Sequence, residues 1–226
     1  MSREENQGGG GMNYYTYKQG HWFMKNGKED DKDFKEVTLV DKDKKSYQDS
    51  GVYVSAIGGI VSGIDINDIE HEGRKFSVLE VTLDEEDKLS MSFPSEASRK
   101  VLQQFGNLDF TQRVILTAWE KDGWSKLNIK QAGEHVENEF MTWDAENFKM
   151  EYKGGYPVRP ASDASERAKS DFALDEKDFL RTQAIKIKAL VPEFVATPSI
   201  DAVNAENQLE ASTPMDEDIN PEDIPF

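Results

Sequence analysis

Residues 113–131 read RVILTAWEKDGWSKLNIKQ. Asp122-Gly123, set between two alternating runs, is a strong short-range signal for a β-hairpin with a two-residue turn. That turn puts Lys121 opposite Trp124, Trp119 opposite Lys126, Thr117 opposite Asn128 and Ile115 opposite Lys130. Side chains alternate across a strand and directly opposed residues share a face. One face is therefore expected to carry Val114, Leu116, Ala118, Leu127 and Ile129, all apolar. The other carries Thr117, Trp119, Lys121, Trp124, Lys126, Asn128 and Lys130. A longer loop would shift this register, and either tryptophan could instead pack beneath a neighbouring segment.

The stretches upstream complete a fold. GVYVSAIGGIVSGIDI (51–66) predicts a long strand bent at Gly58 and Gly59, because glycine within a strand pattern marks a bulge or sharp bend. RKFSVLEVTL (74–83) and DKLSMSF (87–93) alternate as second and third strands. PSEASRKVLQQFGN (94–107) then turns helical, with Ser95 as cap, Val101, Leu102 and Phe105 on one side, and Gly106 as stop. Three strands, a helix and two strands predict a mainly β chain, a five-stranded OB-fold barrel with one helix between strands 3 and 4. Any small barrel or sandwich with one helix fits the same order.

Around this core we expect a disordered leader (1–12), an OB domain (13–158), a helical segment (159–197) and a disordered acidic linker and tip (198–226). ALDEKDFLRTQAIKIKALV (173–191) places Leu180, Ala184, Ile187 and Val191 on one helical stripe. EDDKDFKEVTLVDKDKKSYQDS (29–50) reads mostly as solvated loop, with VTLV a short strand or helix edge. The aromatics of 134–156 either line a groove or cover it.

Charge restricts the partners. The chain carries a net −17, yet eight acids and no Lys or Arg lie from Ile200 onward, leaving 36 acids against 27 bases before it. Phosphates demand cations, so an anion-binding surface must be a local stripe. The tryptophan–lysine face is one, because a base stacks on an aromatic ring while lysines meet the phosphates. MNYYTYKQGHWFMKNGK (12–28), free of acids, offers another in Tyr17, Lys18, Trp22, Phe23 and Lys25. Those aromatics could equally be an extra strand with its rings in the core. Tyr53 and the run Arg74-Lys75-Phe76 are weaker candidates. A DNA-mimicking inhibitor is the alternative that the acidity favours.

Signals for catalysis are poor. There is no cysteine, which excludes disulfides and thiolate metal sites. His21, His71 and His135 have no partner at metal-ligand spacing, and GGIVSG (58–63) lacks the Lys-Ser/Thr of a phosphate loop. We expect no enzyme activity, no metal and no cofactor. No run approaches the ~20 apolar residues that span a bilayer.

The chain ends MDEDINPEDIPF (215–226), five side-chain carboxylates followed by Ile-Pro-Phe. This ending resembles the acidic C-terminal tip of bacterial single-stranded DNA-binding proteins, which closes in Asp-Ile-Pro-Phe; here Asp223, Ile224, Pro225 and Phe226 match, with Asp216, Glu217, Asp218 and Glu222 upstream. The resemblance covers the tip alone, and the length and extra helix look more like phage-encoded versions. It implies an OB domain that holds single-stranded DNA. It also implies a tip that recruits replication, recombination and repair proteins, and a cytoplasmic location, that of the bacterial host if the protein is phage-encoded. It does not carry over an oligomeric state. The physics agrees: a ring and an α-carboxylate on one terminal residue suit a pocket with an apolar floor and a cation at its lip.

Overall fold

The computed structural model describes residues 12–18, 20–25, 29, 31–40, 46–71, 73–121 and 124–193. The chain divides into two units, Met1–Pro192 and Glu193–Phe226, and the architecture below is that of the first.

The chain is mainly β. In order come β1 (Asn13–Lys18), β2 (His21–Met24), β3 (Phe34–Val40), β4 (Ser46–Val54), β5 (Ala56–Gly59), β6 (Val61–His71), β7 (Arg74–Leu83) and β8 (Asp87–Phe93). The helix α1 (Glu96–Gln104) follows, then β9 (Val114–Lys121), β10 (Trp124–Gln131), β11 (Glu134–His135), β12 (Met141–Asp144), β13 (Lys149–Tyr152) and the long helix α2 (Glu166–Leu190). The strands build a seven-stranded sheet β3-β4-β2-β1-β8-β7-β6, a four-stranded sheet β11-β10-β9-β5 and the separate hairpin β12-β13.

The expected bend between strands is where the two large sheets meet. β5 pairs with β9, and β6 pairs with β7. At the bend, Asp84 accepts from the Ile60 amide at 2.8 Å, and the Asp84 amide donates to Ile60 O at 2.8 Å. This clamp holds one continuous run of chain in two sheets. Ser95 and Ser98 form a reciprocal capping box on α1, and Val101, Leu102 and Phe105 are fully buried. Leu180, Ala184 and Ile187 of α2 join the same core. Lys188 pairs with Asp65, and Arg181 with Asp68 at 2.7 Å, fixing α2 to β6. Arg99 meets buried Glu176 at 2.9 Å, and this pair ties α2 to α1.

Two expectations need correction. The strands do not close into a five-stranded barrel. β1 takes the free edge of β8 in parallel, Asn13 beside Asp87 and Thr16 beside Ser90, and β10 pairs only with β9 and β11. Within 29–50, expected to be mostly loop, residues 34–40 and 46–50 are strand. They form the β3–β4 ribbon, which extends the sheet beyond β2. Their charges conceal a seven-residue strand because side chains on an outer ribbon need not be apolar.

Candidate nucleic-acid interface

The β9–β10 hairpin has the register expected of it. Lys121 pairs with Trp124, Trp119 with Lys126, Thr117 with Asn128 and Ile115 with Lys130. Val114, Leu116, Ala118, Leu127 and Ile129 are all buried. That packing fixes which way the opposite face points. On it Trp119 is 39% exposed, Lys121 is exposed, and Lys126, Asn128 and Lys130 are half-buried. The Trp124 backbone holds its place in the ladder; its side chain lies outside the described residues.

The surroundings of this face set its electrostatics. Lys126 Nζ sits 2.8 Å from Glu96 Oε1 at the start of α1. Lys100, one turn further along, has its pKa lowered by burial and by Lys126, with Glu96 opposing. Tyr17 is pushed up to about 12 by burial and then by Glu96. Two ammonium groups, one carboxylate and the Tyr17 ring thus gather beside β10. The hairpin's own Lys121 and Lys130 have no ion-pair partner among the described residues. Asn128 Oδ1 lies 2.7 Å from His135 Nδ1.

The N-terminal aromatics go elsewhere. Trp22 is fully buried, its Nε1 donating to Leu116 O at 3.1 Å, and Tyr17 meets its ring edge-on at 5.3 Å. Phe23 and Tyr53 are 3% and 5% exposed, their rings 4.7 Å apart. These three rings offer no open face; Trp22 and Phe23 lie on β2, which pairs with β1, and Tyr53 lies opposite Phe23 on β4. Lys18 is held at 2.9 Å by Asp49 and lies 4.4 Å over the Phe23 ring. Lys25 is exposed in the turn after β2, and Arg74 is exposed at the start of β7. The β1–β2 turn connects this segment to the hairpin. Gly20 has φ +73, and a Cβ there would collide with the Trp119 and Glu120 backbone.

A second outward surface includes Phe76, one of the weaker candidates in the sequence. On the seven-stranded sheet Leu79, Val81, Leu83, Leu89 and Met91 face the core, so Phe76, Thr82 and Lys88 point outward. Phe76 is 46% exposed beside its partner Ile69. Tyr14, 59% exposed, has Lys88 Nζ 5.6 Å from its ring centroid. Tyr14 and Lys88 meet only through the parallel β1–β8 pairing, which leaves no local trace in the sequence. Glu80 accepts from Lys88 at 3.3 Å and from Asn67 at 2.7 Å, so this surface is more nearly neutral than the hairpin's.

No family model, curated protein or solved structure matches the chain. Its chemistry is therefore argued from its own residues. Among the described residues no group of three or more His, Cys, Asp or Glu could hold a metal ion, and no helix is long and apolar enough to cross a membrane. Asp216, Glu217, Asp218, Glu222, Asp223, Ile224, Pro225 and Phe226 lie outside the described residues.

Proposed function

We propose that this chain binds single-stranded DNA without sequence preference on the outer face of the β9–β10 hairpin, and recruits proteins of replication, recombination and repair through its acidic tip. The single observation that carries the reading is the half-exposed Trp119 among Lys121, Lys126 and Lys130, on the opposite side of a fully apolar core face. A flat ring takes one base, and the ammonium groups to either side meet its phosphates and release their counterions. Arg74, Phe76, Tyr14 and Lys88 extend the path onto the other sheet. Its architecture is read as an opened OB barrel, in which β5–β6 is the bent first strand and β7, β8, β9 and β10 follow in order. α1 fills the gap between β8 and β10. An OB fold uses the face of its second and third strands and its strand 1–2 and 4–5 loops for oligonucleotides, and β7, β8 and the β9–β10 turn stand in those places. The segment before the first core strand, the extra helix and the length, which look more like phage-encoded versions, support a phage origin.

Oligo(dT) added to the full chain should quench tryptophan fluorescence, with affinity falling linearly in log[salt] at a slope of about −0.7 per phosphate contacted. Phe226→Ala should remove recruitment of tip-binding proteins and leave that titration unchanged. An absence of quenching and of any salt-dependent affinity would refute the reading and favour a DNA mimic, which binds protein instead.

A further inference from the structure

β12 and β13 pair Met141 with Tyr152 and Trp143 with Met150. Opposed residues share a face, so these four lie on one side of the hairpin. The inner pair is half-buried against the core, where Tyr152 stacks on Tyr156 at 6.1 Å and Phe140 meets Phe179 edge-on at 5.0 Å. The outer pair overhangs it: Trp143 is 56% exposed and Met150 41%. Phe148, in the connecting turn, is 81% exposed.

Two features separate this patch from incidental surface. The first is the backbone at Phe148. Asp144 Oδ1 accepts from the Glu146 and Asn147 amides at 3.0 and 3.1 Å, and Asn147 Nδ2 donates to Asp144 Oδ2 at 2.7 Å. That turn delivers Phe148 at φ 51, a left-handed position at which glycine is unstrained and a bulky residue is not. Local stability favours Gly there, so the ring is explained only by what it touches. The second is charge. Within 140–160 the acids Asp144, Glu146 and Glu151 balance Lys149, Lys153 and Arg159, in a chain of net −17. Nucleic acid would find as many carboxylates as cations here. Another copy of this acidic chain would meet a locally balanced patch rather than a negative one, and the lysines and acids of two facing hairpins can pair crosswise.

We propose that the Trp143–Phe148–Met150 face is the core of a self-association interface between two copies of this chain. The three side chains expose roughly 400 Å² of apolar surface per copy, the size of a functional patch on a monomer. Two such patches make a small interface, hence a weak, concentration-dependent dimer. The inference does not rest on nucleic-acid binding.

Sedimentation velocity on the full chain from about 1 µM to about 500 µM should show the mean mass rising towards two copies. Trp143→Ala and Phe148→Gly should each weaken association by at least about thirty-fold, as loss of a central aromatic anchor does. Phe148→Gly should not lower Tm, since glycine suits that backbone; a dimer lost without lost folding is the decisive pattern. Wild-type chain monomeric throughout, or a dimer unchanged in both variants, overturns the proposal. So does a monomer whose oligo(dT) affinity falls in the variants, which would assign the patch to nucleic acid instead.

Discussion

Trp22 and Trp119 look alike in the sequence, each an indole near lysines, and the structure gives them opposite roles. Trp119→Ala removes a ring that is 39% exposed on the lysine-bearing face. If one base stacks there, the loss is about 1–3 kcal/mol, or about 5- to 140-fold in affinity at ~1.4 kcal/mol per decade. The salt slope should stay constant, because no phosphate contact is removed. The half-buried part of the ring limits the stability cost to about 1–2 kcal/mol. Trp22→Ala deletes a fully buried ring and the donor to Leu116 O, at about 3–5 kcal/mol. At ~2–4 °C per kcal/mol for a chain of this size, Tm should fall by about 6–20 °C. Anisotropy of labelled oligo(dT) across a salt series, with calorimetry on the same samples, reads both quantities. The reasoning is refuted if Trp119→Ala leaves affinity intact, or if Trp22→Ala, held below its lowered Tm, loses affinity as Trp119→Ala should.

Three further perturbations test the surroundings of that face. Glu96→Gln removes the carboxylate that lies 2.8 Å from Lys126 Nζ, so oligo(dT) affinity should rise at low salt; an unchanged titration would mean that this carboxylate does not oppose a phosphate at the hairpin. Gly20→Ala should lower stability by at least about 1–2 kcal/mol from its left-handed backbone alone, with the clash on the Trp119 backbone adding to it, read as a shifted urea midpoint. Tyr17, pushed up to about 12, keeps its proton when folded at pH values where the unfolded chain has released it at about 10. The unfolded state then binds fewer protons, so stability falls as pH climbs from about 10 to about 12, and raised Tyr156 adds in the same direction. Tyr17→Phe should flatten that alkaline limb in pH-dependent urea melts. It should cost little at pH 7, since the Tyr17 hydroxyl is buried without a hydrogen-bond partner among the described residues.

What was legible follows the range of the interactions. The β9–β10 register could be read pair by pair because a two-residue turn and strict alternation fix it within 18 residues. α1 announced itself through Ser95, and α2 through the stripe of Leu180, Ala184 and Ile187. That the strands do not close into a barrel was not legible. It depends on β1 lying parallel to β8 across some seventy residues of intervening chain, and a parallel pairing of distant strands has no local signature. The same pairing decides the fate of the first aromatic segment. Once β1 and β2 enter the sheet, alternation sends Tyr15, Tyr17 and Trp22 towards the core and leaves Tyr14 outside. Nothing within YYTYKQGHWF itself says which parity wins.

Taken globally, the net charge of −17 opposes phosphates, but the arrangement of the acids weakens that opposition. Asp49 holds Lys18, Asp65 holds Lys188, Asp68 holds Arg181 and Glu176 holds Arg99. Four acids of the body are therefore held in internal pairs that fasten one element to another. The eight acids from Ile200 onward belong to the second unit. At about 0.1 M salt a charge is screened beyond ~10 Å, so a phosphate near the hairpin responds mainly to nearby groups, among them Lys121, Lys126, Lys130 and Lys100, and to Glu96, whose carboxylate touches Lys126. The total charge governs approach from a distance; this local set governs what happens on contact. For that reason Glu96, rather than any distant acid, is the residue whose neutralisation should change binding most.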